Sequence, residues 1–176
     1  MRRGVSPDAF TALGVLAAAL AALAIWRGWW LPAGVLLAAR LTGANLDGAV
    51  ARARGVCSPW GFVLNEVGDR TSDLLTYAGL AALAARTADG WVSAPVGWVL
   101  VAALAATLPT FASLAAAGAG ATRRNGGPLG KTERCALVTL ATGIPAWVPG
   151  IAALTVLGSL VTAGLRLRAT HAELTR

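Results

Sequence analysis

Four acidic residues fall within one 27-residue window of an apolar chain, and their side chains are the ones best able to do chemistry. They are Asp47, Glu66, Asp69 and Asp73, half of the eight acidic residues that the chain contains. An ionised carboxylate at the centre of a bilayer costs on the order of 3 kcal/mol on insertion scales. Water, a partner charge or a metal must therefore compensate such a cluster, and a functional site is its default interpretation.

Polar residues recur at four-residue spacing in the second half of this window. Residues four apart lie on one face of a helix, so Asn65, Asp69 and Asp73 form a stripe with Glu66 beside it. If the preceding segment packs alongside, its Asp47 faces this stripe. Several oxygen ligands with little histidine or cysteine suit a hard cation such as Mg²⁺ or Mn²⁺. Hard cations in enzymes usually accompany phosphates, so the pattern favours phosphate chemistry.

The residues alone leave two other interpretations of the carboxylates open. In the first, Arg40 and Arg70 neutralise Asp47 and Asp69 and only hold the helices together. In the second, the stripe is the permeation path of a small cation transporter. The acidic residues cluster near one membrane face rather than along a path through it, which disfavours the transporter.

The elements that position these residues are predicted to be membrane-spanning helices. The chain has 176 residues, of which 56% are hydrophobic and 13% charged, and an ordinary soluble domain is less apolar. Charge-free runs at 9–26, 90–122 and 135–165 approach or exceed the roughly 20 residues that span a bilayer. Pro145, Pro149 and Gly150 divide the last run. The sequence thus predicts an all-α polytopic membrane protein with six transmembrane helices, at 7–27, 29–53, 58–86 and 92–119, and two within 135–165.

The distribution of basic residues predicts the orientation of these spans. If both termini are cytoplasmic, most arginines and lysines lie inside and only Arg27 and Arg86 lie outside, as the positive-inside rule requires. The net charge of +7 is scattered over short loops, so we expect contacts with anionic membrane lipids and no nucleic-acid partner.

The spacing of the acidic window resembles a known signature. It resembles the CDP-alcohol phosphatidyltransferase family, whose pattern is DxxDGxxAR, eight or more residues, then GxxxDxxxD. The match runs without a gap over residues 44–69, with two departures: Ala44 stands at the first aspartate position and Asn65 at the third. The matching residues here are Asp47, Gly48, Ala51, Arg52, Gly61 and Asp69.

The resemblance implies a role for each matching residue. In this family the aspartates hold a pair of divalent metal ions, which bind the diphosphate of a CDP-linked lipid, and the fourth aspartate deprotonates the acceptor alcohol. Asp47, Asn65 and Asp69 would be metal ligands here, with Glu66 and Asp73 as further candidates, and Asp69 would also be the general base. The CDP pocket would be lined by Gly48, Ala51, Arg52 and Gly61.

A basic loop is predicted at the same membrane face. The segment GATRRNGGPLGKTERC, residues 120–135, holds Arg123, Arg124, Lys131 and Arg134 among glycines that favour a flexible connection. One interpretation is an acceptor pocket for a phosphorylated alcohol, with Lys131 and Arg134 favoured because they open a helix. The other interpretation is topology and lipid contact alone.

Together these features predict a single transmembrane domain over residues 1–176, in a bacterial inner membrane, with its active site at the cytoplasmic face. The predicted activity is transfer of a phosphatidyl group from CDP-diacylglycerol to a small alcohol, phosphorylated or plain, with release of CMP and a requirement for Mg²⁺ or Mn²⁺. The alternative is a catalytically inactive relative that serves as a lipid-binding scaffold, for which Ala44 and Asn65 argue. The resemblance also implies a homodimer.

Overall fold

The described residues fold as a bundle of α-helices. The computed structural model describes the backbone of residues 7–53, 55, 58–88, 90 and 92–176, and the side chains of these residues except 7 and 44–53. No β-strand occurs among these residues. The helices are α1 (Pro7–Arg27), α2 (Trp30–Ala53), α3 (Pro59–Thr87), α4 (Ala94–Ala105), α5 (Leu108–Gly118), α6 (Lys131–Gly143) and α7 (Val148–Leu174), with a 3₁₀ turn at Pro145–Trp147.

Local capping sets where the site-bearing helices begin. The Ser58 hydroxyl accepts a hydrogen bond from the Gly61 backbone N–H at 2.9 Å, and Pro59 occupies the first helical position of α3, where its missing N–H costs nothing. At the start of α6, the Glu133 carboxylate accepts from the Gly130 backbone N–H at 2.9 Å. Both helices therefore begin at a fixed residue. The sequence also predicts Ser6 as the N-cap of the first helix, and this residue lies outside the described residues.

The helix predicted at 92–119 is broken in two, which corrects the sequence-based boundary. α4 ends at Ala105 and α5 begins at Leu108. The cause is Pro109, which has no backbone N–H and whose ring crowds the carbonyl of the residue four positions earlier, Ala105. Pro109 therefore cannot donate a backbone hydrogen bond to the Ala105 carbonyl, while its own carbonyl accepts from Arg166 of α7 at 2.7 Å.

α3 lies at the centre of the packing that matters for the site. It contacts α1, α4 and α6, while α2 contacts α1 and α6, and α7 contacts α4 and α5. The approach of α1 to α3 is close, because a Cβ added to Gly79 would lie 2.6 Å from the Ala22 carbonyl oxygen. Such small-residue contacts let helix backbones approach closely. α3 is thus held from several sides along its length.

Three of the described helical segments are long and apolar enough to cross a membrane. They are Asp8–Arg27, Ala94–Gly118 and Pro145–Leu174, so that α4 and α5 together make one such segment. Many large apolar side chains along these segments are exposed, including Leu16, Leu104 and Leu157, and in a membrane they would face lipid. The other predicted spans contain the charged residues of the site, and the count of six remains a prediction.

Candidate active site

The polar stripe of α3 faces the basic residues of α2, α6 and the loop between α5 and α6. Asp73 is buried, whereas Asn65, Glu66 and Asp69 are each partly exposed. The stripe therefore runs from a closed end inside the bundle to an open end nearer the start of α3. A ligand that enters the bundle from that end meets Glu66 and Asp69 first.

At the closed end, the Asp73 carboxylate forms ion pairs with three guanidinium groups, which come from three helices. Arg40 of α2 lies 2.6 Å from Asp73 Oδ1, Arg70 of α3 lies 2.9 Å from Oδ2, and Arg134 of α6 lies 3.1 Å from Oδ2. Arg40 is only 1% exposed, and its Nη2 also donates to the backbone carbonyl of Asp69 at 3.2 Å. This carboxylate joins α2, α3 and α6, and its oxygens are taken by arginines rather than free for a metal.

The pairing differs from the one that the salt-bridge interpretation assumed. Arg40 and Arg70 both form ion pairs with Asp73, whereas the Asp69 carboxylate is paired with Lys131. The side chain of Asp47 lies outside the described residues. Which arginine meets which carboxylate depends on the rotation of each helix about its axis, and four-residue periodicity does not determine that rotation.

At the open end, the remaining carboxylates pair with the basic loop. Lys131 Nζ donates to Asp69 Oδ2 at 2.5 Å, and Arg123 Nη2 donates to Glu66 Oε1 at 2.5 Å. The Arg123 guanidinium also lies over the Phe62 ring, 5.0 Å from its centroid, a cation–π contact that orients it. Lys131 and Arg123, both predicted from sequence, are thus brought to the stripe.

Two residues of α7 that the sequence did not single out hold the basic loop in place. Arg166 donates to the carbonyl oxygens of Pro109, Asn125 and Gly126 at 2.7, 2.7 and 2.8 Å. Arg166 is only 8% exposed, and its donors bind these backbone carbonyls inside the bundle. The sequence signal that could have identified Arg166 is an arginine within an otherwise apolar helix.

Glu173, near the end of α7, holds the first part of the loop. Its carboxylate accepts from the Thr122 backbone N–H at 2.7 Å and from Arg124 Nη2 at 2.9 Å. Arg124, predicted to bind an acceptor, is therefore turned towards α7, while its neighbour Arg123 points to α3. Of the four predicted basic residues, Arg123, Lys131 and Arg134 meet the stripe.

Part of the predicted CDP pocket lies outside what the structure describes. The backbone of α2 continues through this region to Ala53, but the side chains of Asp47, Gly48, Ala51 and Arg52 are not among the described ones. Gly61 is described, and its backbone N–H caps α3 through Ser58. That cap sets the start of the helix that carries Asn65 and Asp69.

The described residues supply few oxygen donors for a hard cation. Asn65, Asp69 and Ser72 line a cleft of about 10 Å³, which is about the size of a single water, and amide, carboxylate and hydroxyl oxygens suit Mg²⁺ or Mn²⁺. Arg40 lines the same cleft and adds a positive charge to it. Among the described residues, no three acidic, histidine or cysteine side chains form a metal-binding group.

The charges around the stripe also disfavour two ions. The three carboxylates of Glu66, Asp69 and Asp73 meet five protein cations, so the described cluster carries two more positive than negative charges. A pair of divalent ions would add four more. The cations are Arg40, Arg70, Arg123, Lys131 and Arg134.

Comparisons with known proteins agree with the helical fold and the motif. The chain is 30% identical over 147 residues to a phosphatidylinositol phosphate synthase of Mycolicibacterium smegmatis, covering 82% of this chain and 64% of that protein. It is 33% identical over 142 residues to a phosphatidylinositol phosphate synthase of Mycobacteroides abscessus, covering 78% and 62%. The chain thus spans a little under two thirds of the length of these two relatives.

Solved structures show the same architecture. The crystal structure of Mycobacterium tuberculosis phosphatidylinositol phosphate synthase with CDP-DAG bound matches at a TM-score of 0.74 and 25% identity, over 96% of this chain and 88% of that one. The structure of the same protein with manganese and citrate matches at a TM-score of 0.73 and 25% identity, over 96% and 84%. The family model for CDP-alcohol phosphatidyltransferases matches residues 4–169, nearly the whole length, and the chain belongs to that family.

Proposed function

We propose that the protein transfers the phosphatidyl group of CDP-diacylglycerol to the hydroxyl of a small alcohol and releases CMP. The observation that carries the proposal is the position of Asp69. It is the last residue of the family motif, it lies at the open end of the stripe, and its carboxylate meets Lys131 of the basic loop. A proton acceptor next to cations suits the attack of an alcohol on a phosphate ester.

The steps follow from the roles of these side chains. Asp69 accepts the proton of the acceptor hydroxyl as its oxygen attacks the phosphorus of the phosphatidyl group. A new P–O bond forms, the diphosphate P–O bond breaks, and CMP leaves with the electrons of that bond. Mg²⁺ or Mn²⁺, held by Asp47, Asn65 and Asp69, would stabilise negative charge on the diphosphate. Gly48, Ala51, Arg52 and Gly61 would line the CDP pocket.

We further propose that the acceptor is a phosphorylated alcohol. Arg123, Lys131 and Arg134 lie along one side of the stripe. Counted together with Arg40 and Arg70, the described cations outnumber the three carboxylates by two. Guanidinium and ammonium groups bind phosphate through charge-assisted hydrogen bonds. The named relatives are phosphatidylinositol phosphate synthases, which makes an inositol phosphate the first acceptor to test and a glycerol phosphate the second.

The site is proposed to work at the cytoplasmic face of a bacterial inner membrane. Six spans with both termini in the cytoplasm put Arg123, Lys131 and Arg166 on the inner side, as the positive-inside rule favours. The whole chain would act as one domain, and a homodimer is the expected assembly. A cysteine-accessibility experiment on intact cells, with single cysteines at Ala172 and Gly90, tests the orientation: only the residue at 90 should react from outside.

The activity is tested by CMP release from CDP-diacylglycerol. The purified protein in detergent is given Mg²⁺ or Mn²⁺ and a panel of inositol phosphate, glycerol phosphate and their unphosphorylated alcohols. We expect release with a phosphorylated acceptor and loss of release with a chelator. Absence of release with every acceptor and both metals would overturn the proposal, provided the protein elutes as a single species.

A second candidate function is an inactive, lipid-binding scaffold. Ala44 and Asn65 remove two of the four motif carboxylates, and the described carboxylates of α3 are all paired with protein cations. The scaffold would bind CDP-diacylglycerol without releasing CMP. CMP release by the unaltered protein separates the two ideas. If it releases none, Ala44→Asp with Asn65→Asp shows whether metal binding can be restored, which is expected of an inactivated enzyme and not of a scaffold adapted to another role.

A further inference from the structure

The ion pair between Lys131 and Asp69 involves a carboxylate of the family motif. Asp69 is the motif residue expected to hold metal, and its Oδ2 already accepts a hydrogen bond from the Lys131 ammonium at 2.5 Å. The pair is partly shielded, with side chains 25% and 14% exposed. The Lys131 ammonium thus occupies a carboxylate oxygen of Asp69 that would otherwise be free to bind a metal ion.

The contacts around Lys131 fix its backbone at the start of α6. It is the first residue of α6, and three residues later Arg134 is fixed to Asp73 at 3.1 Å. On the other side, the Gly130 N–H is held by Glu133 at 2.9 Å. The side chain therefore leaves a fixed helix start, while its four-carbon stem still lets the ammonium move by a few ångströms.

The neighbouring carboxylates offer no replacement for the missing motif aspartates. Glu66 is paired with Arg123, and Asp73 is paired with three arginines. With Ala44 and Asn65 in the motif, the site has lost two anionic ligands, and the described cluster is already net positive. A second divalent ion would add charge where nothing among the described residues balances it.

We propose that the Lys131 ammonium replaces one of the two divalent ions of the family site, so that this protein works with a single metal ion and a built-in cation. The inference rests on the proposed transfer activity. When CDP-diacylglycerol binds, the ammonium leaves Asp69 for the diphosphate, where it balances the negative charge that develops as the P–O bond to CMP breaks. Asp69 is then free to take the proton from the acceptor hydroxyl.

Metal stoichiometry tests this role without reference to activity. Mn²⁺ binding is measured by electron paramagnetic resonance on the purified full chain without nucleotide, the state in which Lys131 is paired with Asp69. We expect one Mn²⁺ per chain in the unaltered protein. Lys131→Met should lower the Mn²⁺ dissociation constant about tenfold because a competing cation is removed from Asp69. Lys131→Arg, which keeps the charge, should stay within about twofold.

A matched control separates the local effect from the change in net charge. Arg168 is exposed on α7, and Arg168→Met removes one charge from the same end of the bundle as Arg166 and Glu173. Its Mn²⁺ dissociation constant should not change. An equal change in Arg168→Met and Lys131→Met would overturn the proposal, as would two bound ions in the unaltered protein.

Restoring the motif gives the sharpest comparison. The double variant Ala44→Asp with Asn65→Asp should still bind one Mn²⁺, because Lys131 keeps its place, and adding Lys131→Met should raise the count to two. Two ions in the double variant would overturn the role of Lys131. Failure of the transfer activity is a separate outcome: it appears as no CMP release from a protein that still binds one Mn²⁺ and CDP.

Discussion

The guanidinium of Arg40 on α2 lies 2.6 Å from Oδ1 of Asp73 on α3, in a contact that is almost closed to solvent. The same arginine donates to the backbone carbonyl of Asp69 one turn earlier on α3. Arg40 therefore fixes the rotation of α3 about its axis and the position of the candidate general base, Asp69, along that axis. The structural carboxylate, Asp73, and the candidate general base, Asp69, are neighbours on the stripe.

Asp73→Asn should destabilise the protein without a direct effect on the chemistry. Removing the charge leaves Arg40, Arg70 and Arg134 without their shared anion inside the bundle, and breaking a buried pair typically costs about 3–5 kcal/mol. Thermal unfolding in detergent would show a fall in the midpoint of several degrees. The exposed Asp8 at the start of α1 gives the control, since Asp8→Asn should leave the midpoint within about one degree. Equal midpoints for the two variants would contradict this account.

Asp69→Asn should abolish CMP release while the protein stays folded. The amide keeps the shape of the carboxylate but cannot accept a proton, and loss of a general base costs about 10²–10⁴ in rate. The measurement is CMP release at saturating CDP-diacylglycerol, alongside CDP binding, which should persist. A variant that releases CMP at an unaltered rate would remove Asp69 from the role of base.

Arg166→Gln should loosen the basic loop. The arginine donates to three carbonyl oxygens, of Pro109, Asn125 and Gly126, and glutamine cannot reach all three. Trypsin should then cut after Arg123 or Arg124 at least about tenfold faster, because cleavage follows the population of the opened loop. Arg168 is two residues away and exposed, so trypsin should cut the Arg168→Gln variant at the same rate as the unaltered protein. Equal rates in both variants would argue against Arg166 as the anchor.

Gly79→Ala should weaken the contact between α1 and α3. The added methyl would lie 2.6 Å from the Ala22 carbonyl oxygen, and overpacking of this kind costs about 1–3 kcal/mol. Gly97 of α4 is the matched control, since a Cβ there would meet nothing within 4 Å. Gly97→Ala should raise the midpoint slightly, because alanine favours a helix by about 1 kcal/mol over glycine. A higher midpoint for Gly79→Ala would show that α1 can move away at little cost.

The positions of helices follow from local sequence to a large extent. α1, α2 and α3 begin and end within one residue of the predicted bounds, because apolar runs and the Ser58–Pro59 start are local signals. The break at Pro109 was missed, although proline inside a helical run is itself a local signal. It was overlooked because the surrounding run is long enough to span a membrane without interruption.

The partners within the site were harder to predict than its residues. The spacing of Asn65, Asp69 and Asp73 predicted a stripe, but the pairing of Asp73 with Arg134 joins residues 61 positions apart. The contact between Arg124 and Glu173 spans 49 positions. Such contacts depend on how the helices rotate and tilt against one another, and no periodicity within one helix contains that information.

The arginine cluster around Asp73 has a consequence for biogenesis. During synthesis, Arg40 and Arg70 are made before Asp73, so two of its three cations are available early. Arg134 follows only 61 residues later, after α4 and α5 have emerged. Until α6 is made, Arg40 and Arg70 are the cations available to pair with Asp73. The contact between Asp73 and Arg134, which joins α6 to α3, can therefore form only after most of the chain has been made.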